Sequence, residues 1–214
     1  MQWGVALQSW ALWVARGLGL AFTSYAVDGA TAATVAREQI PAFHRVTAHP
    51  QARYDLGCLY VGVNDVRGLN WDPERYRVAF GQALEFLRAR CDRVLALTAP
   101  LDLGRPRVGL KVLELNAIVE EAALEQGALV LDLYDFGGRN LVMSDHVHPT
   151  AFGQIAIAER ALAVLQGAGM KVRVRPAALI SFRVTRWRRL RGELTYAYRH
   201  AKVSARALAQ RRRT

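Results

Sequence analysis

Short apolar segments alternate with helical patterns along the first 170 residues of the chain. The apolar segments are rich in strand-forming residues and end at turn-forming residues; they cover 20–27, 56–63, 93–98 and 128–133. Runs that are apolar at nearly every position are typical of strands covered on both faces, as in a parallel sheet. The pattern therefore predicts several parallel strands in one sheet.

Helical spacing of apolar residues occupies the stretches between these segments. The expected helices cover 9–19, 31–40, 72–87, 108–122 and 150–162. Asp72 followed by Pro73 is a typical helix start, and Thr150 is a preferred N-cap residue. The alternation of strands and helices predicts a three-layer α/β/α domain with right-handed crossovers.

The composition changes near residue 170. Residues 171–214 contain 14 Lys or Arg and one acid, whereas the preceding 170 residues contain 15 basic and 17 acidic residues. We therefore expect an α/β domain over 1–168 and a basic C-terminal extension over 169–214. Residues 171–176 alternate, which predicts a short strand or an extended segment.

Apolar residues recur every three or four positions between Ile180 and Tyr198, with arginines around them. This pattern predicts a basic amphipathic helix. An anionic membrane surface is the expected partner of such a helix, and nucleic acid is the second choice because a basic face alone is generic. A solvated basic appendage is the simplest alternative.

Several classes of protein are excluded by composition. The two cysteines, Cys58 and Cys91, exclude a disulfide-rich mini-fold and a four-cysteine zinc module, and two buried thiols are expected. No stretch reaches the ~18 uncharged apolar residues that span a bilayer. No His, Cys or Asp spacing indicates a metal and no Gly-rich loop indicates a nucleotide, so no cofactor is predicted. We expect a cytoplasmic protein, or one peripheral to a membrane through its extension.

Candidate catalytic residues follow the predicted strands. Gly29 and Asn64 stand at two strand ends, and Asp145 and His148 precede the last helix. A carboxylate three residues before a histidine can hold one imidazole nitrogen as N–H and leave the other as a base. A glycine N–H and an asparagine amide can stabilise a developing oxyanion. The alternatives are a turn aspartate with a capping histidine, a turn glycine and an asparagine that satisfies loop backbone.

Three sequence blocks in this order carry a resemblance to a known family. Residues 62–65 (GVND) resemble the G-x-N-D block of the SGNH, or GDSL-type, hydrolases. Residues 145–149 (DHVHP) resemble their D-x-x-H-P block, and residues 28–31 (DGAT) resemble the block with the oxyanion glycine. The resemblance covers roughly residues 9–166.

The resemblance implies a flavodoxin-like sheet of strand order 2-1-3-4-5 and serine-dependent hydrolysis of acyl esters of lipids, sugars or small molecules. By motif position, it implies that His148 is the base and Asp145 its partner. Gly29 and Asn64 are the implied oxyanion donors.

The family's G-D-S nucleophile block is not found among the chain's five serines. Ser9 is expected to cap a helix, and Ser144 to shape a turn. The resemblance thus implies that the nucleophile and the first, central strand lie upstream, with Met1 an internal methionine. The competing hypothesis is an inactive SGNH-like binding or scaffold protein that is attached to membrane or nucleic acid by its basic tail.

Overall fold

The computed structural model of the protein describes residue 5 and residues 7–47, 51–180 and 185–211, with the side chains at 188–189 and 207–211 outside that description. The chain divides into two compact units. The first unit contains Met1–Phe22, Asp102–Val108 and Phe136–Thr214. The second contains Thr23–Leu101 and Gly109–Asp135. The predicted domain boundary at residue 168 stays a prediction.

A three-stranded parallel sheet forms the centre of the second unit. Its strands are β1 (Tyr54–Leu59), β2 (Cys91–Leu97) and β3 (Leu129–Leu131), hydrogen-bonded in the order β1-β2-β3. Residues 94–97 of the central strand are all buried, as expected of a strand covered on both faces. The α/β fold class is confirmed, and the three strands correspond to strands 3-4-5 of the expected order.

The prediction of a strand over residues 20–27 is wrong. This segment contains no strand, and most of its residues are exposed, including Phe22 and Val27. A β-strand requires a neighbour that accepts and donates its backbone hydrogen bonds. Within the described residues no strand pairs with this segment, so its β-forming composition does not lead to a strand.

Helices of the second unit pack around the sheet. A continuous helical run consists of α2 (Ala32–Thr34), a π-helical segment (Val35–Gln39) and α3 (Ile40–Val46). The remaining helices are α4 (Val63–Arg67), α5 (Pro73–Arg88) and α6 (Lys111–Glu125). Helices α5 and α6 contact each other and the sheet, which buries Phe80 and Leu84 of α5 and Leu115 and Ile118 of α6. The predicted helices of this unit are confirmed with two changes in their bounds. The run from 31 extends to 46, and the helix expected over 108–122 covers Lys111–Glu125.

Two helices pack together in the first unit, α1 (Trp10–Leu18) and α7 (Ala151–Gly167). The backbone N–H of Trp10 donates to Gln154 Oε1 at 2.7 Å. A short 3-10 turn, Pro176–Leu179, contacts both helices. Residues 171–175 form no strand, and the N–H groups of Arg173 and Val174 donate to the Gly17 carbonyl at 2.8 and 3.2 Å.

The predicted helix starts are confirmed by their side-chain caps. Ser9, Asp72 and Thr150 each accept a hydrogen bond from a backbone N–H in the first turn of the following helix, at 3.2, 3.0 and 3.0 Å. Each cap satisfies a donor that has no partner inside the helix. Local sequence therefore sets where α1, α5 and α7 begin.

The last helix, α8 (Arg186–Arg211), lies in the basic extension where an amphipathic helix is predicted. Residues 181–184, which include Val184 of the predicted apolar stripe, lie outside the described residues. Across the described part of the chain, every helix is too short or too polar to cross a bilayer.

A substitution at Gly153 tests how closely the start of α7 packs against the backbone of Leu141. A Cβ built on Gly153 would overlap the carbonyl oxygen of Leu141, which is backbone and cannot rotate away. We expect Gly153→Ala to lower the free energy of unfolding by about 1–3 kcal/mol, measured by urea denaturation. Gly167→Ala, in open space at the end of the same helix, is the control and should be neutral or stabilising by up to ~1 kcal/mol. Equal stabilities of the two variants would contradict the close contact.

Candidate active site

Asp145 and His148 form a hydrogen-bonded pair in the first unit. Nδ1 of His148 lies 2.7 Å from Oδ2 of Asp145. The other carboxylate oxygen accepts the backbone N–H groups of Val147 and His148 at 2.9 and 3.1 Å. The carboxylate therefore fixes both the turn and the imidazole ring that the turn presents.

The loop around this pair is closed at its base. Val142 and Pro149 form an isolated antiparallel bridge, and the Met143 N–H donates to the His148 carbonyl at 2.8 Å. The hydroxyl of Thr150, which also caps α7, donates to the Asn140 carbonyl at 2.5 Å. The loop is thus held between a bridge and a helix start.

Hydrogen bonding keeps Asp145 ionised. Partial burial acts to raise the pKa of its carboxyl, but the hydrogen bonds from the His148 ring and from two backbone N–H groups outweigh it and lower the pKa below its ordinary value. An ionised Asp145 selects the His148 tautomer with a proton on Nδ1. Nε2 is then the basic nitrogen.

The His148 ring is open to solvent, with 66 % of its side chain exposed. Its Nε2 has no hydrogen-bond partner among the residues that the structure describes. An oriented imidazole with a free, basic nitrogen is the arrangement that general-base catalysis requires.

A second histidine in the same loop has its own carboxylate partner, which no sequence motif indicates. Nδ1 of His146 lies 3.0 Å from Oδ2 of Asp102, and the His146 carbonyl accepts the Gly104 N–H at 2.9 Å. His146 has a positive φ of 55°, which is uncommon for a residue other than glycine. These contacts join the loop of His148 to the 102–108 segment.

Arg105 completes this cluster. Its guanidinium lies 2.9 Å from Asp102 Oδ2 and 2.9 Å from His146 Nδ1. Partial burial acts to raise the pKa of Asp102, but Arg105, His146 and Arg107 lower it below its ordinary value. We call Asp102, Arg105 and His146 the loop clamp. Asp102 and Arg105 lie more than 40 residues before His146 in the sequence, and no motif connects them to it.

The remaining two predicted site residues lie in the second unit. Nδ2 of Asn64 donates to the Ala30 carbonyl at 3.0 Å, so Asn64 contacts the turn that contains Gly29. Gly29 has a φ of 81°, and the space where a side chain would project is empty. An open backbone position beside a side-chain amide is suited to contact with a substrate oxygen.

Asp65 supports this second group. Both of its carboxylate oxygens lie 3.2 Å from the Ala32 N–H, at the start of α2. Partial burial raises the pKa of Asp65, and the hydrogen bond from Ala32 opposes that shift. The structure therefore joins the predicted site residues as two groups, Asp145 with His148 and Asn64 with the Gly29–Ala30 turn. Action of both groups on one substrate stays a prediction.

None of the serines that the structure describes hydrogen-bonds to His148. The Ser9 hydroxyl accepts the Leu12 N–H, as predicted for a cap, and the Ser24 hydroxyl accepts the Ala26 N–H at 3.2 Å. Ser181 lies outside the described residues. In the part of the chain that the structure describes, no serine hydroxyl hydrogen-bonds to His148.

The cysteines are free thiols on adjacent strands. Cys91 is buried, as predicted, whereas Cys58 is half-buried. Across the described ranges, no group of three or more His, Cys, Asp or Glu side chains is arranged to hold a metal ion.

Comparison with protein families shows the family to which the chain belongs. The model of the GDSL-like lipase/acylhydrolase family matches residues 2–155. The chain belongs to this family. The general activity of this GDSL family is the hydrolysis of acyl esters. No curated protein matches the chain significantly.

Solved structures share the fold of this GDSL-family chain. A member of the lipolytic G-D-S-L family from Veillonella parvula is 22 % identical, with a TM-score of 0.59, over 74 % of this chain and 87 % of the other. An alpha/beta hydrolase enzyme from the metagenome of Lake Arreo is 15 % identical, with a TM-score of 0.59, over 74 % and 81 %. A mutant acetyl-xylooligosaccharide esterase from Geobacillus is 16 % identical, with a TM-score of 0.60, over 78 % and 84 %.

The loop clamp predicts a change in the titration of His146. Burial lowers the pKa of His146, and the positive charge of Arg105 lowers it further, while Asp102 opposes both. Arg105→Gln removes the cation that disfavours the imidazolium and leaves Asp102 in place. We therefore expect the His146 midpoint to rise in this variant, measured from its ring resonances by NMR.

Arg107→Gln is the matched control for this measurement. Arg107 pairs with the other oxygen of Asp102 at 2.7 Å, whereas Arg105 is the arginine that hydrogen-bonds to the His146 ring. Its removal should move the His146 midpoint less than Arg105→Gln does. A midpoint that falls or stays constant in Arg105→Gln would contradict the assigned role of Arg105.

Proposed function

We propose that this GDSL-family protein is a serine-dependent acyl-ester hydrolase in which His148 is the base of a Ser-His-Asp triad and Asp145 orients it. The observation that carries the proposal is the 2.7 Å contact between His148 Nδ1 and an ionised Asp145, with the opposite ring nitrogen exposed. The nucleophile in this proposal is a serine hydroxyl that hydrogen-bonds to Nε2 of His148.

In the first step, Nε2 of His148 takes the proton of the serine hydroxyl as the oxygen attacks the acyl carbonyl. Asp145 stabilises the imidazolium that results and holds its ring in place. His148 then gives the proton to the departing alcohol, and the acyl group stays on the serine. Water, activated by the same nitrogen, releases the acid and restores the hydroxyl.

Asn64 and Gly29 supply the oxyanion donors in this proposal. One hydrogen of the Asn64 amide is given to the Ala30 carbonyl, which orients the side chain and leaves the second hydrogen for the substrate. The Gly29 backbone N–H is the second donor. Such donors contribute most when charge develops on the carbonyl oxygen, so they accelerate the chemical step.

The substrate class is a small acyl ester of a sugar, lipid or other alcohol. One structural neighbour is described as an acetyl-xylooligosaccharide esterase, which is consistent with a short acyl group. The exposed His148 ring also suits a substrate that approaches from solvent.

His148 provides the decisive test. The protein is expressed from its native reading frame, with any coding sequence upstream of the Met1 codon retained. We expect His148→Ala to lower kcat/KM for p-nitrophenyl acetate by roughly 10⁴–10⁶. His44→Ala, a histidine of α3 outside the proposed machinery, should leave turnover unchanged.

Two outcomes would refute this assignment. Unchanged turnover in His148→Ala excludes the histidine as the base. The competing hypothesis is an inactive binding protein. It is supported if the wild-type protein neither hydrolyses the ester nor reacts with a fluorophosphonate probe. The observation that favours it is that no serine among the described residues hydrogen-bonds to His148.

The kinetics of an Asn64 variant distinguish an oxyanion role of this side chain from a structural role. We expect Asn64→Ala to lower kcat by about 10²–10³ and to change KM little, because the lost donor acts mainly in the transition state. Asn70→Ala, an exposed asparagine of the same region, should retain full activity. A rise in KM with constant kcat in Asn64→Ala would instead indicate ground-state binding.

A further inference from the structure

Helix α8 has one face that contacts the rest of the first unit. Glu193 lies 3.9 Å from Arg139, and the Arg139 guanidinium lies 5.6 Å from the Tyr196 ring. The His200 ring lies 5.9 Å from the rings of both Tyr196 and His146. Glu193, Tyr196 and His200 therefore define the inward face of α8.

A second face of α8 consists of large apolar side chains that remain exposed. The exposed fractions of Trp187, Leu190, Leu194 and Tyr198 are 71 %, 47 %, 64 % and 69 %. At 3.6 residues per turn, these four fall within an arc of roughly 80°, whose centre is roughly 130° from the inward face. We call these four residues the outward face of α8.

The charge around the outward face has one sign. Residues 186–211 contain eight Lys or Arg and a single acid, Glu193, which lies on the inward face. Arg191 and Lys202 border the outward face on one side and Arg186 on the other, and all three are exposed. An aromatic and aliphatic face bordered by cations combines the two features by which helices bind the boundary of an anionic bilayer.

We propose that the outward face of α8, with Arg186, Arg191 and Lys202, binds the surface of an anionic phospholipid bilayer. Trp187, Leu194 and their neighbours enter the region between headgroups and acyl chains, and the cations contact lipid phosphates. Duplex nucleic acid matches the cations but offers no hydrocarbon region for the four apolar side chains. This surface is independent of the proposed catalysis.

Vesicle partitioning of the full chain tests the proposal. Large unilamellar vesicles of phosphatidylcholine with phosphatidylglycerol are compared with vesicles of phosphatidylcholine alone by co-sedimentation. We expect binding to the anionic vesicles to be roughly 10- to 100-fold stronger and to weaken as salt is added.

Two double variants separate the apolar from the ionic contribution. Trp187→Ala with Leu194→Ala should weaken binding by about 10-fold or more, because both side chains lose their place in the bilayer boundary. Arg191→Gln with Lys202→Gln should reduce the preference for anionic vesicles and its salt dependence. Leu69→Ala with Leu124→Ala removes two exposed leucines outside α8 and should bind like the wild type.

Because all substituted side chains are exposed, we expect each variant to keep its helices, and circular dichroism measures whether it does. Equal binding to both kinds of vesicle, or full binding by the Trp187→Ala, Leu194→Ala variant, overturns the proposal. It is also overturned if a DNA duplex competes the protein off anionic vesicles, or if the outward face mediates a dimer that the double variant abolishes.

Discussion

The carboxylate of Asp145 is the point on which the candidate catalytic loop depends. It accepts three hydrogen bonds, one from the His148 ring and two from backbone N–H groups of the same turn. These bonds lower the pKa of the carboxyl, so the group that shapes the turn is also the one that carries the negative charge. Structure and electrostatics of the loop therefore cannot be changed independently.

The loop clamp adds a second level of support. His146 follows Asp145 directly, and its ring is held by Asp102 and Arg105 from a segment more than 40 residues earlier. Because His146 is bonded through its ring and through its carbonyl, its uncommon backbone conformation is over-determined by its surroundings. The clamp fixes the path of the chain immediately before the proposed base.

Local features of the sequence account for what could be predicted. Caps such as Asp72 and Thr150 act within one helical turn, so the helix starts can be predicted from the sequence. An apolar run such as that of β2 indicates a strand buried on both faces, so the three strands can be predicted as well. The strand expected at 20–27 fails because pairing depends on a partner elsewhere in the chain. Asp102 could not be assigned to His146 for the same reason, since only the folded chain brings them together.

The two groups of candidate catalytic residues differ in the same way. Asp145 and His148 are three residues apart, and their geometry is set within one turn, which explains why a short motif suffices to identify them. Asn64 and Ala30 are 34 residues apart and meet where the turn before α2 lies against α4. The Asp145–His148 pair thus requires little of the fold, whereas the contact between Asn64 and the Gly29–Ala30 turn requires the packed second unit. If Asn64 and Gly29 act as proposed, loss of packing in the second unit weakens the oxyanion contacts and leaves the hydrogen bond between Asp145 and His148 in place.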